Sequence, residues 1–163
     1  MYSKILVPVD GSETSTAGLN EAVRLAKIHG SQLCLMHIVN ELVLDCTWAP
    51  GLYSETLFES LRKGGEKILD AAEKVVVSQG IRPTRVMVES IGGIAADLIL
   101  EQAKGWHADV IVMGTHGRRG IFRLAMGSDA EQVVRGATVP VLLVRGQAAA
   151  KKFTMKPATA TAA

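Results

Sequence analysis

No disulfide framework can be built from two cysteines, Cys34 and Cys46. Cys34 stands inside an apolar run, where a buried, reduced thiol is expected. No apolar run reaches the about 18–20 residues of a membrane helix, and a net charge of +2 makes no electrostatic case for nucleic acid or an anionic membrane. The chain opens Met-Tyr-Ser-Lys and passes directly into a strand-like run, without the pattern of a secretory signal. A soluble, cytoplasmic protein is expected. Several chemical signatures are missing too. No G-x-x-x-x-G-K-[ST] occurs, because the register from Gly114 puts Arg119 and Gly120 where Gly and Lys should stand, and no G-x-G-x-x-G follows the first strand. There is no G-x-S-x-G elbow. His29, His37, His107 and His116 show no metal-ligand spacing. Cys34 and His37, three apart on a strand, face opposite ways and cannot share a metal. No residue is marked as a nucleophile or general base, so no catalytic residue is assigned.

What is present is an ordinary globular composition, 48% apolar and 21% charged, enough for one domain with a substantial core. Five short apolar runs read as strands: Lys4 to Val9, Gln32 to Val39, Arg85 to Glu89, Val110 to Met113 and Val141 to Val144. Between them lie helical patterns. The first ends at Gly30 and has Leu19, Ala22, Val23 and Ala26 on one face. The second covers about Leu57 to Ser78, with Ile68, Ala71, Ala72, Val75 and Val76 inward. The third runs from about Ile94 to Lys104 with Ala95, Leu98 and Ile99 inward, and the fourth opens at Ser128. Residues 40–56 form a long loop with apolar content. From 147 to 163 the chain lacks periodicity and is expected to be a disordered tail to a domain of residues 1–146. Strands alternating with helices predict a parallel sheet with helices on both faces, whose ligands bind where strand order reverses.

Two connections carry ligand chemistry. Asp10-Gly11-Ser12 closes the first strand. Gly114 to Ser128 (GTHGRRGIFRLAMGS) links the fourth strand to the last helix, about twice the usual upper length for such a link. Gly114, Gly117, Gly120 and Gly127 free the backbone for close approach, Arg118, Arg119 and Arg123 add positive charge, and Gly127-Ser128 meets a helix N-terminus. Such a loop suits phosphate. The same residues also have plainer readings: a solvated loop, Asp10 as a turn and cap residue, Ser128 as an N-cap, and Met113 and Val39 as core. Both connections leave strands one and four, so these strands are expected to be neighbours with the site between their ends.

The spacing Gly114-x-x-Gly117-x9-Gly127-Ser128, with the opening KILVPVDGS and the closing VPVLLVR, resembles the universal stress protein family over about residues 3 to 145, in its nucleotide-binding branch. The resemblance implies an α/β three-layer sandwich with a five-stranded parallel sheet, a Rossmann-like adenine-nucleotide-binding fold. It implies an ATP site at the strand ends, homodimers joined through the last strand, and a role in stress tolerance with at most slow ATP hydrolysis. By the same resemblance, Pro8, Val9 and Asp10 line the adenosine, with Asp10 reaching ribose or a bound Mg2+. Val39 touches the adenine, Met113 and Gly114 lie under the nucleotide, and Gly117, Arg118, Gly127 and Ser128 hold the phosphates. His116, between the loop's first two glycines, joins the candidate contacts, though solvent exposure explains it as well. Asp129 stands where family members often carry an apolar residue. Its carboxylate favours the helix dipole and opposes a triphosphate unless Mg2+ or its orientation intervenes.

Overall fold

Each of the five apolar runs forms a strand: β1 (Lys4–Pro8), β2 (Gln32–Asn40), β3 (Thr84–Ser90), β4 (Val110–Gly114) and β5 (Val141–Val144). The helices are α1 (Glu13–His29), α2 (Glu55–Ser78), α3 (Ala95–Gly105) and α4 (Ser128–Gly136). The structure, a computed structural model, describes residues 2–40, 55–90, 92–115 and 126–146. Residues 41–54, 116–125 and the tail from 147 lie outside the described residues, and with them His116, Gly117, Arg118, Arg119 and Arg123.

The strands form one sheet in the order β3-β2-β1-β4-β5, every pair parallel. Strands one and four are therefore neighbours, as expected, with Ile5 opposite Val110 and Leu6 opposite Ile111. From β1 the chain goes to β2 and β3 on one side, then crosses to β4 and β5 on the other. The reversal falls between β1 and β4, which is where an open α/β sheet forms its ligand crevice.

Two cores flank the sheet, because alternate strand residues face alternate layers. Ile5, Val7, Leu33, Leu35, Val110 and Val112 pack under α1 and α2. Leu6, Cys34, Met36, Ile111 and Met113 pack under α3 and α4. Cys34 and His37 indeed belong to opposite faces. In α1 the expected stripe of Leu19, Ala22, Val23 and Ala26 is buried throughout, and Gly30 ends the helix at φ +67°. In α2 the stripe is turned slightly from expectation. Gly65, Leu69, Ala72 and Val76 are buried at the spacing of one helical face, whereas Ala71 is exposed. In α3 the buried residues are Ala96, Ile99 and Ala103, with Ala95 and Leu98 at the border. At the sheet edge β5 pairs with β4 alone, and the Pro140 carbonyl accepts from Ile111 N–H at 3.0 Å. Proline fits here because it supplies an acceptor at a strand start and needs no donor. Among the described residues no helix is long and apolar enough to cross a membrane.

Candidate functional site

The chain leaves β1 through a turn knotted by side chains. Asp10 Oδ1 accepts from Ser12 N–H at 2.9 Å, Gly11 takes φ +79°, and Ser12 caps α1 by accepting from Ser15 N–H at 3.1 Å. The turn-and-cap reading of Asp10 is thus realised in the fold, and it leaves the half-buried carboxylate at the carboxyl end of β1. Pro8 is half-buried and Val9 is buried. The β1–β4 register, continued by two residues, sets Pro8 level with Met113.

On the other side of the reversal, Gly114 ends β4 against the first turn of α1. A Cβ on Gly114 would lie 2.6 Å from Thr14 C and 2.7 Å from Thr14 O. Glycine is required here by helix packing alone, whatever else the residue touches. Beyond it, Thr115 N–H donates to the Val144 carbonyl at 3.0 Å, and the Thr115 carbonyl accepts from Gly127 N–H at 2.9 Å. This last bond returns the chain to the end of β4 after the loop has left it. Helix α4 consequently starts beside the β1/β4 reversal.

The cap of α4 is Gly127, at φ −65° and ψ 149°, and no side chain caps it. Ser128 is the first helical residue and is exposed, which corrects its reading as an N-cap. The first turn of any helix holds N–H groups that the helix itself cannot pair, and here that turn begins beside the end of β4, to which Gly127 is bonded. Asp129 and Glu131 occupy the same turn and favour the helix dipole. Glu131 is drawn to Arg135 at 2.8 Å.

The structure brings Pro8, Val9, Asp10, Met113, Gly114, Gly127 and Ser128 to one end of the sheet. It separates Met113 from Val39: the Met113 side chain packs in the α3/α4 core, while Val39 belongs to β2 and faces Gly65 of α2. Any contact of Met113 with a ligand in the crevice therefore runs through its backbone. Three residues at this end had not been singled out as site residues: Ser15, Thr115 and His37 are all buried. A signal for two of them existed. Ser15 lies on the stripe of Leu19, Ala22 and Val23, and His37 interrupts an apolar strand, so each is a polar residue on a buried face. Elsewhere, burial pushes the Cys34 thiol up to about 11, against a smaller opposing effect of the Gln102 side chain. It is a core thiol, as expected. Among the described residues no group of three or more histidines, cysteines or carboxylates could hold a metal ion. A Mg2+ at this end would have Asp10 as its carboxylate and take further oxygens from a bound phosphate, the usual arrangement for that ion.

A parallel, doubly wound sheet with helices on both faces and a helix starting at its strand reversal defines the class as a Rossmann-like α/β domain. The sequence profile of the Universal stress protein family matches residues 1–145, and the chain belongs to that family. A universal stress protein of Thermus aquaticus is 34% identical over 148 residues, spanning 89% of this chain and 100% of the relative. One from Methanocaldococcus jannaschii is 32% identical over 145 residues, spanning 89% and 83%. Among solved structures, a universal stress protein from Burkholderia pseudomallei is similar with TM-score 0.71 at 31% identity, covering 88% of this chain and 96% of its own. Lactobacillus plantarum UspA gives TM-score 0.75 at 25% identity, covering 88% and 98%. Two more distant structures share the fold at 21% identity: a universal stress protein in complex with cAMP, TM-score 0.64, and one from Archaeoglobus fulgidus in complex with dAMP, TM-score 0.62.

Proposed function

We propose that this protein is a cytoplasmic, ATP-binding universal stress protein, a homodimeric module in which nucleotide occupancy sets conformation or partner choice. The observation that carries this reading is the Gly127-to-Thr115 hydrogen bond, which brings the uncapped start of α4 to the strand reversal. The phosphates then lie at the α4 start formed by Gly127 and Ser128, over the first-turn amides from Ser128 onward, because the Gly127 N–H is given to Thr115, with Gly117 and Arg118 contributed by the intervening loop. The adenosine lies along Pro8, Val9 and Asp10 toward Val39, above Met113 and Gly114, and His116 borders it. Asp10 would hold a Mg2+ accompanying the nucleotide, and the ion would supply charge neutralisation for phosphate that Asp129 otherwise opposes. That the same fold carries cAMP and dAMP in two relatives supports an adenine nucleotide as the ligand class. The near-neutral charge of +2 favours a small anion over a nucleic acid.

Calorimetric titration with Mg-ATP tests the reading, with hydrogen exchange across residues 114–128 alongside. Saturable binding that slows exchange in the loop is expected, as in switches that order a segment. Heat no greater than dilution would refute it and favour a nucleotide-free interaction protein. A slow Mg-dependent ATPase is the second reading, favoured by the carboxylate of Asp10 at the crevice. It requires a steady-state rate above background that Asp10→Ala abolishes.

The dimer rests on β5. It is an edge strand with Leu142 37% exposed, and Val134 of the adjoining α4 is 43% exposed. An apolar edge with unpaired backbone groups favours pairing with another chain.

A further inference from the structure

The peptide group that joins Val9 to Asp10 is held at both of its polar atoms by buried side chains from two different elements. His37 Nδ1 lies 2.6 Å from the Val9 carbonyl oxygen. A carbonyl can only accept, so Nδ1 carries the hydrogen and donates. On the other end, Asp10 N–H donates to Ser15 Oγ at 3.1 Å. His37 and Ser15 are each 6% exposed. The Val9 N–H still pairs with the Met36 carbonyl at 2.8 Å, and both contacts fall on the peptide that follows, where a connection ordinarily turns its polar groups to water.

Glycines back both residues. A Cβ on Gly65 of α2 would lie 2.7 Å from His37 Cδ2, so α2 presses on the imidazole itself; a Cβ on Gly114 of β4 would lie 2.9 Å from the backbone nitrogen of Ser15, so β4 presses on the turn of α1 that carries the Ser15 hydroxyl. Since the peptide unit is rigid and planar, fixing its oxygen and its nitrogen fixes its plane, and with it the direction in which Asp10 leaves the strand. The Asp10 carboxylate is then steered by Ser12 N–H.

We infer that His37 and Ser15 are positioning residues, which clamp the Val9–Asp10 peptide so that the Asp10 carboxylate is aimed in advance at the ribose or Mg2+ of a bound nucleotide. The inference rests on the functional reading above and assigns two residues to that site. Neither touches the ligand; both act through Asp10. Pre-aiming favours binding because the ordering is already complete in the empty protein.

Calorimetry with Mg-ATP on the wild type, Ser15→Ala, His37→Leu, His37→Asn and Asp10→Ala, with Ser15→Ala also combined with Asp10→Ala, tests this at a temperature where circular dichroism shows every variant folded. Loss of either clamp bond is expected to weaken binding roughly two- to tenfold, the range of one net hydrogen bond. His37→Asn, whose amide nitrogen can stand near the Nδ1 position, should recover much of the loss. In the Asp10→Ala background, Ser15→Ala should cost nothing further, because there is no carboxylate left to aim. Should His37→Leu not fold, Ser15→Ala and its double variant decide. Folded variants that bind as tightly as wild type would overturn the clamp and leave the nucleotide reading standing, as would a Ser15→Ala loss that adds in full to that of Asp10→Ala. A wild type that binds no Mg-ATP would overturn both.

Discussion

Gly64 and Gly65 are neighbours in the interior of α2, and replacing each with alanine should move stability in opposite directions. In a helix interior, alanine is favoured over glycine by about 0.5–1 kcal/mol, because glycine loses more backbone freedom on folding. At Gly64 an added Cβ meets nothing within 4 Å, so Gly64→Ala keeps that whole gain. At Gly65 the same methyl would stand 2.7 Å from His37 Cδ2 and 3.1 Å from both Met87 Sδ and Val39 Cγ2. The ring cannot simply swing aside, since its Nδ1 is tied to the Val9 carbonyl. Overpacking of this kind costs about 1–3 kcal/mol; against the propensity gain of about 0.5–1 kcal/mol this leaves a net loss of up to about 2.5 kcal/mol. For a domain of this size each kcal/mol corresponds to roughly 2–4 °C in Tm. Urea denaturation followed by circular dichroism should therefore raise the midpoint for Gly64→Ala and lower it for Gly65→Ala, with the same slope. Equal stabilisation by both changes would refute the packing of α2 against His37.

Other consequences follow from single contacts. Because the Cys34 thiol is raised from 9.0 to about 11, the folded state is favoured below pH ~9 and loses that advantage as pH rises toward 11. The loss should reach at most about 3 kcal/mol, and Cys34→Ala should be flatter over this window; parallel pH curves would contradict the assignment. Arg85 binds Glu66, Asp70 and Glu73 at 2.7–2.9 Å across the β3/α2 surface. Arg85→Ala leaves three carboxylates together and should cost about 1 kcal/mol at low ionic strength, shrinking in ~1 M salt where the charges are screened; a salt-independent cost would point to packing instead. Leu142→Lys on the β5 edge should give a monomer by sedimentation at micromolar concentration, and an unchanged dimer would place the interface elsewhere.

The order of elements was legible in the sequence because parallel strands covered on both faces read as unbroken apolar runs, and because Gly30 marks the end of the first helix. The neighbouring of β1 and β4 was legible through chemistry, since the two connections with ligand character leave those strands. Finer packing was less legible. Gly65 has no side chain to enter a hydrophobic pattern, so the reading of α2 placed Ala72 and Val76 inward, as they are, but included the exposed Ala71 and passed over Gly65 and Leu69. Ser128 satisfied the residue preference for an N-cap, but Gly127 has the extended backbone the cap requires, and the helix begins one residue later than the cap. That Asp10, Gly114, Gly127 and Ser128 would gather at the end of β1 and β4 was legible from residue type and spacing. Ser15 and His37 were not, because a polar residue in an apolar stripe does not name its partner: Ser15 meets the Asp10 N–H only through the geometry of the local turn, and His37 meets the Val9 carbonyl only once β2 lies beside β1.

Whether an adenine nucleotide occupies the β1/β4 crevice is the central claim, and it is tested most directly by denaturing the purified protein, separating what is released, and treating a Gly117→Val variant in the same way. ATP released from the wild type in near-stoichiometric amount, and absent from the variant, is the predicted result. Wild-type protein that releases no nucleotide and takes up none from added Mg-ATP would contradict it.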